Sequence, residues 1–371
     1  MGSERALGFE SFGDDQYSLV NVQELTREPL IAVPHRYVRV DDHHHHHLQS
    51  PPTDHHLLGM ETSIPTIDMS KLVKPEAMDI DELEKLHLTC KEWGIFQLVN
   101  HGIKNQLLEK LKNETEAWFK LPFEEKMKYH IKPGEVEGYG AVVENDDKKL
   151  DWGDRFYMII NPINRRKPNL FPELPSSLRN TLECYFQELN KLAMRLLKLL
   201  GQALKIEEKV IEELLEDGMQ SVRMTYYPPC PNPDLVVGLR PHSDATAITI
   251  LNQLNGVDGF QIKRNGLWTP VKFLENAFAV NVGDILEIMS NGMYESLEHR
   301  VTVNSSKERI SVAMFFNPKF EAEIGPVASL INAQNPPLFK RIGMEKYAQD
   351  YFSRRRLDGK SYLEKMRIKK E

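Results

Sequence analysis

Features that mark membrane, secreted and nucleic-acid-binding proteins are missing from this sequence. No apolar run approaches the length of a transmembrane helix, and the first 30 residues lack the apolar segment of a secretory signal. There are 47 Lys and Arg residues against 54 Asp and Glu, a net charge of -7, and the basic residues form no block typical of nucleic-acid binding. We therefore expect a cytoplasmic protein without a nucleic-acid or membrane partner.

Cysteine is also scarce. The three cysteines, Cys90, Cys184 and Cys230, are odd in number and show no spacing typical of a zinc site. This usage fits a reducing compartment, so we expect neither a disulfide framework nor a structural zinc ion.

The chain has 371 residues, enough to bury a large core. Its first 60 residues are polar and contain five consecutive histidines, His43 to His47, which favour a disordered tail over a metal site because nothing fixes their geometry. We predict a disordered His-rich tail over residues 1–60. An amino-terminal region, a long scaffold helix, a strand-rich core and a carboxyl-terminal helical extension then follow over residues 61–175, 176–218, 219–325 and 326–371.

Hydrophobic periodicity predicts helices in the first half of the chain. One begins at Asp79, and others cover Gln106 to Phe119 and Ser177 to Leu204. WGIFQLVNHGI, from Trp93 to Ile103, reads as a strand that ends at a turn.

After Met219 the period of the apolar residues changes from that of a helix to that of a strand. Short β-type runs separated by turn signals follow: SVRMTYY, ATAITIL, GFQIK, LWTPV, AFAVNV, DILEIM, SLEHRVTV and RISVAMFF. The pattern predicts an α+β fold with a double-stranded β-helix at its core, a cupin-like jelly roll whose interior can hold a small ligand. Helices from the first half would pack on one outer face.

GLRPHSDATAITIL sets two metal-ligating residue types two positions apart, just ahead of a predicted strand. Alternate residues of an extended chain point to the same face, so His242 and Asp244 project together. In SLEHRVTV the same alternation turns His299 toward the apolar side, where a core histidine is the ordinary alternative to a ligand. Two imidazoles and one carboxylate form the facial triad of non-haem Fe(II) oxygenases, although catalytic zinc sites use the same ligands.

Arg309 and Ser311 alternate with apolar residues in RISVAMFF. An arginine here must either reach water from an edge strand or pair with an anion, because burying an unpaired charge is very costly. A guanidinium binds a carboxylate through two charge-assisted hydrogen bonds, and the serine hydroxyl can add a third. Next to a metal triad, the pair predicts a binding site for a dicarboxylate. A catalytic zinc site would give Arg309 and Ser311 no role.

The order of these motifs resembles one known family. H-x-D, a distant histidine and R-x-S, preceded by YYPPC and WGIFQLVNHGI, resemble the plant 2-oxoglutarate and Fe(II)-dependent dioxygenases over about residues 60–368. The most similar branch serves specialised metabolism and includes the codeine and thebaine O-demethylases, the norcoclaurine-synthase-like proteins and the senescence-related-protein group. LFKRIGMEKYAQDYFSRRRLDGKSYLEKMRI has the character of that branch.

The resemblance implies a metal centre and a co-substrate site. The implied iron ligands are His242, Asp244 and His299, and the implied 2-oxoglutarate residues are Tyr227, Arg309 and Ser311. It also implies O2 as second co-substrate, ascorbate as reductant and no catalytic residue beyond the metal centre. Thr225 stands where the family often has asparagine, which puts a co-substrate role at that position in doubt.

Three aromatic residues are candidates for the substrate site. Tyr139 and Phe156 match family positions that often border the pocket, and strand alternation places Phe315 on the face of Arg309. Core packing is the alternative for each. Together they favour a small, largely apolar plant metabolite, such as an alkaloid, phenylpropanoid, terpenoid or hormone-like molecule. We also expect the protein to be a monomer.

We therefore expect an oxidoreductase of plant secondary metabolism that hydroxylates or O-demethylates such a molecule. Two alternatives stay open on the residues. One is a zinc hydrolase with the same triad, which would leave Arg309 and Ser311 without a role. The other is a catalytically silent small-molecule binding protein that keeps the pocket.

Overall fold

The computed structural model describes residues 18–39, 63–74, 78–132, 134–143, 149–353 and 361–369. The strands are β1 (Ser18–Val20), β2 (Thr66–Asp68), β3 (Ile95–Val99), β4 (Gly138–Tyr139), β5 (Ala141–Val143), β6 (Asp154–Asn161), β7 (Gln220–Tyr227), β8 (Leu239–His242), β9 (Ile248–Gln253), β10 (Phe260–Arg264), β11 (Leu267–Pro270), β12 (Phe278–Val282), β13 (His299–Val301), β14 (Arg309–Phe316), β15 (Glu323–Ile324) and β16 (Ile342–Gly343). The α-helices are α1 (Val22–Leu25), α2 (Met69–Leu72), α3 (Ile80–Glu92), α4 (Asn105–Phe119), α5 (Phe123–Met127), α6 (Ser176–Ala203), α7 (Glu208–Leu215), α8 (Asp284–Met289), α9 (Met344–Ser353) and α10 (Ser361–Met366). The run His43 to His47 lies outside the described residues.

Two sheets form the jelly roll that the strand pattern predicts. The larger has the order β2-β3-β12-β9-β14-β7-β6-β4 and is antiparallel except for the pair of β2 and β3. The smaller has the order β11-β10-β13-β8. Apolar residues from both sheets, among them Leu251, Ile262 and Ala313, pack in one cluster between them. The α+β jelly-roll prediction is confirmed.

Alternation along β14 separates two sides of the larger sheet. Ile310, Val312 and Met314 belong to the large apolar cluster shared with the helices. Ala313 and Phe315 belong to the cluster between the sheets. The polar residues at the start of this strand therefore point into the interior of the jelly roll.

The predicted helices cover the outer face of the larger sheet. The helix expected from Asp79 is α3, and the Asp79 carboxylate caps it by accepting hydrogen bonds from the backbone N–H groups of Asp81 and Glu82. The long helix predicted over Ser177 to Leu204 is α6, which packs its buried stripe against α3 and α4. No helix in the described ranges is long and apolar enough to cross a membrane.

DILEIM, predicted as a strand, is instead the helix α8. All six of its residues are buried, and its two carboxylates, Asp284 and Glu287, accept hydrogen bonds from Ser296 and Arg367 inside the fold, so no exposed face marks its period. The fourth strand of the smaller sheet is β8, which was not among the predicted strands. Of the predicted strand SLEHRVTV, only the three residues of β13 are extended.

Residues 18–39 fall within the predicted disordered tail of residues 1–60, but they pack on the domain. The Asp154 carboxylate accepts hydrogen bonds from the backbone N–H groups of Val22 at 2.7 Å and Gln23 at 2.9 Å. The Tyr37 ring packs edge-on against Trp152 with centroids 5.1 Å apart. The prediction is wrong for this segment because its partners lie far away in the chain, 132 positions in the case of Val22.

Candidate active site

His242, Asp244 and His299 meet where β8 and β13 pair. His299 stands directly opposite His242 in the register, and the two ring centroids are 4.3 Å apart. Oδ1 of Asp244 lies 3.6 Å from Nε2 of His242 and 3.8 Å from Nε2 of His299. Potential ligand atoms of the three residues all lie within 4.8 Å of one another, as in no other His, Cys, Asp and Glu group of the described ranges.

The hydrogen bonds of the two histidines leave free the atoms that a metal ion needs. Nδ1 of His242 lies 2.8 Å from the carbonyl oxygen of Arg240, and Nδ1 of His299 lies 3.2 Å from that of Leu297. Because a carbonyl only accepts, both Nδ1 atoms donate, and in the neutral form of each ring this leaves the lone pair on Nε2. Nε2 of His242 is buried without a hydrogen-bond partner among the described residues. Two imidazoles and a carboxylate thus fit a divalent transition metal.

The protonation states suit the same role. Burial, and after it the neighbouring His299, lowers the pKa of His242 to about 3, so this ring is neutral. Burial alone would raise the pKa of Asp244, but the two histidines and a 3.1 Å hydrogen bond from Nδ2 of Asn281 hold it below its usual range. A neutral imidazole and an ionised carboxylate are the forms that bind metal.

The loop that carries Asp244 is held by the first turn of α8. The backbone N–H of Asp284 donates to the carbonyl of Asp244 at 2.8 Å, and that of Ile285 donates to the carbonyl of Thr246 at 2.9 Å. A Cβ atom at Gly283 would lie 2.1 Å from the Thr246 carbonyl oxygen, so this close approach requires glycine. The helix missed in the sequence therefore positions the carboxylate of the cluster.

Arg309 is buried, with 2% of its surface exposed. Its Nη1 donates to Oγ of Ser311 at 3.2 Å, and its Nε and Nη2 donate to Oε1 of Gln253 at 3.2 and 3.1 Å. Both partners are neutral, and no carboxylate of the described ranges forms an ion pair with the guanidinium. An edge-strand arginine in water is thus excluded, and the buried charge calls for an anion.

Tyr227 and Thr225 face this arginine and serine from β7. The register pairs Arg309 with Tyr227 and Ser311 with Thr225, and the guanidinium carbon lies 5.4 Å from the centre of the Tyr227 ring. All four residues line one small cavity that also reaches Asp244. The residues expected to hold the co-substrate are therefore adjacent to the metal cluster.

A larger cavity of about 380 Å³ adjoins the small one and shares Thr225, Tyr227 and Asp244 with it. Phe315 contributes to its wall, together with Tyr157 at a centroid distance of 6.3 Å. Phe352 extends this aromatic wall, 6.1 Å from Tyr157. The cavity also reaches His242 and Asp244, so a molecule inside it would lie next to the metal cluster.

Tyr139 and Phe156 are placed elsewhere, contrary to the prediction. Both rings are buried against Trp118, at centroid distances of 5.1 and 4.7 Å, and neither is among the residues that line the cavity. Alternation along β6 explains the error, because Phe156 points to the helices while Arg155 and Tyr157 point to the cavity. Arg155, the exposed residue of this strand, lies on the cavity face.

Other wall residues come from segments that the sequence analysis did not assign to the site. The amino-terminal segment contributes Val22. The helix α9 contributes Met344, Tyr347, Ala348, Tyr351 and Phe352. Its aromatic residues recur at a spacing of four, which predicts a buried helical face but not what that face covers.

The fold and the site together define a class of protein. A jelly roll that holds a His-Asp-His cluster, a buried arginine with neutral partners and an adjoining aromatic cavity is typical of the non-haem iron oxygenases. Two family models match the chain: the 2OG-Fe(II) oxygenase superfamily over residues 218–318, and the non-haem dioxygenase in morphine synthesis N-terminal domain over residues 64–174.

Similar proteins extend over almost the whole chain. Protein SRG1 of Arabidopsis thaliana is 47% identical over 366 residues, 97% of this chain and 100% of that protein. Codeine O-demethylase of Papaver somniferum is 46% identical over 354 residues, 95% of this chain and 96% of that enzyme. The crystal structure of JOX2 in complex with 2OG, Fe and JA has a TM-score of 0.83 at 34% identity and covers 95% of this chain and 98% of that chain. This chain belongs to the 2OG-Fe(II) oxygenase superfamily and is a dioxygenase that uses Fe(II) and 2-oxoglutarate.

Proposed function

We propose that the two cavities meet at one iron centre. The assigned iron ligands are His242, Asp244 and His299, and the assigned 2-oxoglutarate residues are Tyr227, Arg309 and Ser311. The observation that carries this assignment is a shared wall, since the small cavity around Arg309 and the large cavity both reach Asp244. A co-substrate anchored at Arg309 would extend past Tyr227 and Asp244 into the large cavity, so that it and a substrate there would contact the same metal ion.

Different residues would bind the co-substrate and the substrate. Bound Fe(II) and 2-oxoglutarate supply the oxidation of a C–H bond by O2, with 2-oxoglutarate converted to succinate and carbon dioxide. Arg309 and Ser311 would hold the far carboxylate of the co-substrate through charge-assisted hydrogen bonds. The apolar wall around Phe315 would hold the substrate carbon in place and exclude water.

We propose that the substrate is a small plant metabolite and that the reaction is hydroxylation or O-demethylation. The two outcomes need the same site, because hydroxylation of a methoxy carbon gives a hemiacetal that releases formaldehyde. Relatives named as O-demethylases support this choice, among them the flavonoid 7-O-demethylase of Ocimum basilicum, 47% identical over 94% of this chain and 91% of that enzyme. The aromatic wall of the cavity suits a molecule with a rigid ring system.

We also propose that the enzyme acts as a monomer in the cytoplasm, with ascorbate keeping iron reduced. The alternative functions are not supported. A zinc hydrolase would leave the buried Arg309 without an anion, and a silent binding protein would not need both the metal cluster and this arginine.

The test supplies the protein with Fe(II), ascorbate, 2-oxoglutarate and air in the presence of a plant extract. One compound should gain an oxygen atom or lose a CH2 unit while succinate forms. His242→Ala and Asp244→Ala should lose both iron and turnover while keeping the fold, since too few ligands remain to hold a labile metal. Unchanged iron content and activity in both variants would overturn the assignment.

A further inference from the structure

Two acidic residues of α8 are buried one helical turn apart. Asp284 and Glu287 are each 2% exposed. A carboxylate in the interior requires hydrogen-bond donors or a countercharge. Arg367 provides the countercharge for Glu287, since its Nη2 lies 2.7 Å from Oε1 of that carboxylate. Both carboxylates also accept hydrogen bonds from one residue of the loop before β13, which is Ser296.

Ser296 joins the two carboxylates inside the fold. Its Oγ donates to Oδ1 of Asp284 at 2.7 Å, and its backbone N–H donates to Oε2 of Glu287 at 2.7 Å. The residue is buried from solvent completely. Because its side chain and its backbone are both bound to α8, the loop before β13 is fixed on that helix.

The loop fixed in this way carries the carbonyl group that orients His299. Leu297 follows Ser296 directly, and its carbonyl oxygen accepts a hydrogen bond from Nδ1 of His299 at 3.2 Å. A hydrogen bond at this nitrogen sets the direction of the ring and leaves Nε2 for a metal ion. A displacement of Ser296 would therefore turn the imidazole.

The same turn of α8 holds Asp244. The backbone N–H of Asp284 donates to the carbonyl oxygen of Asp244 at 2.8 Å. The hydrogen bond between Ser296 and Asp284 thus connects the group that supports Asp244 with the loop that supports His299. Ser296, Asp284 and Glu287 line neither of the two cavities, so contact with a substrate or a co-substrate does not explain them.

We propose that Ser296 is a positioning residue of the metal centre, which fixes His299 relative to Asp244 through the first turn of α8. This inference rests on the proposed function, because it takes His299 and Asp244 as ligands of the iron. Replacing a residue that orients metal ligands commonly costs about tenfold to a hundredfold in metal affinity. The Ser296 hydroxyl should have an effect of this size although it does not touch the metal ion.

The test measures the binding of Co(II), a visible and paramagnetic probe of the Fe(II) site, to the full chain without oxygen. Ser296→Ala should bind Co(II) about tenfold to a hundredfold more weakly than the parent. Proton NMR of the Co(II) protein then follows the shifted signals of the N–H groups of His242 and His299. One of these signals should move or exchange faster with water in the variant, because the Leu297 carbonyl is no longer held. The other should stay, since His242 is bound to the carbonyl of Arg240.

Asp284→Ala is a second variant that removes the same hydrogen bond from its other side. It should weaken Co(II) binding to a similar extent. The double variant should lose no more affinity than the weaker of the two single variants, because both act through one interaction. Losses that add in full would show that the two residues act independently, which would overturn the inference.

Ser290→Ala is the matched control, because Ser290 is a buried serine at the opposite end of the loop between α8 and β13. Its Oγ accepts a hydrogen bond from the backbone N–H of Tyr294 at 3.0 Å and donates to the carbonyl of Glu287 at 3.2 Å. This variant should keep the Co(II) affinity and both N–H signals of the parent. The inference is overturned if Ser296→Ala keeps the parent's affinity or both of its N–H signals, or if the control loses as much affinity. Failure of the parent to bind Co(II), or unchanged binding in His299→Ala, would instead contradict the proposed function.

Discussion

The side-chain amide of Gln253 binds the guanidinium of Arg309 through nitrogens that do not contact Ser311. Its Oε1 accepts hydrogen bonds from Nε at 3.2 Å and from Nη2 at 3.1 Å, while Nη1 donates to Ser311. The amide orients the guanidinium without neutralising it. Gln253 thus acts as a positioning residue for the proposed 2-oxoglutarate site.

Gln253→Glu tests this role with a side chain of the same size. The new carboxylate would form an ion pair with Arg309 and compete with 2-oxoglutarate for its charge, so the KM for 2-oxoglutarate should rise about tenfold or more. Iron affinity should stay at the parent value, because no ligand of the metal cluster is changed. Steady-state kinetics and a metal titration measure the two effects.

The control for this variant is Gln261→Glu. Gln261 accepts a 2.8 Å hydrogen bond from Nε of Arg300 on the smaller sheet, and neither residue lines a described cavity. This variant should leave the KM for 2-oxoglutarate unchanged. Equal effects from both substitutions would show that Gln253 has no special relation to the co-substrate.

Asn281 should matter for metal affinity although it is not a proposed ligand. Its Nδ2 donates to Oδ2 of Asp244 at 3.1 Å and directs the other oxygen toward the two histidines. Asn281→Leu should weaken binding of Co(II), a spectroscopic substitute for Fe(II), by about tenfold to a hundredfold. Titration followed by visible absorption measures this change. Asn252→Leu, on the adjacent β9, should not alter metal affinity, and a similar loss there would point to a general disturbance of the sheet.

Asp154 links stability to pH at the attachment of the amino-terminal segment. Burial raises its pKa from 3.8 to about 6, although the N–H groups of Gln23 and Val22 and the charge of Lys126 oppose this shift. The folded protein therefore holds the proton more tightly than the unfolded chain. Stability contributed by this group is present below pH 4 and is lost as the pH rises to about 6, with a total on the order of 3 kcal/mol.

Asp154→Asn removes this titration and provides the comparison. The free energy of unfolding of the parent minus that of the variant should fall between pH 4 and pH 6 and stay level above pH 7. Urea denaturation at a series of pH values measures the difference. A difference that does not change with pH, or one that increases across this interval, would show that the carboxyl group does not have a raised pKa in the folded protein.

Sequence reasoning succeeded where one strand carries all of the information. The alternation puts Arg309 and Ser311 on one face of β14 and turns His299 to the apolar side of its strand, as the structure has them. That His299 lies opposite His242 was expected only from the family resemblance. Sequence reasoning failed where a partner from elsewhere decides the conformation. α8 is buried on every side, and only its contacts with the loop after Asp244 show why it is a helix.

The walls of the cavity were the least predictable part of the site. The sequence of residues 18–39 indicates a polar tail, and only the folded structure shows that Asp154 and Trp152 bind this segment. The helix α9 shows a buried face in its sequence, but only tertiary packing directs that face toward the cavity. Arg155 was a signal of the cavity face only in part, because Asp154 beside it is also charged yet points to the buried side, where it accepts hydrogen bonds from Val22 and Gln23.

Phe315 and Phe156 offer a matched pair of aromatic residues for separating substrate positioning from core packing. Phe315 lines the cavity beside Tyr157, whereas Phe156 stacks on Trp118 in the core. Phe315→Leu should loosen the pose of the substrate, so that more succinate forms for each product molecule. Phe156→Leu should leave this ratio unchanged and lower the free energy of unfolding by about 1 kcal/mol. The assignment of Phe315 to the substrate wall does not hold if its variant lowers product and succinate in equal proportion, as a loss of folded enzyme would.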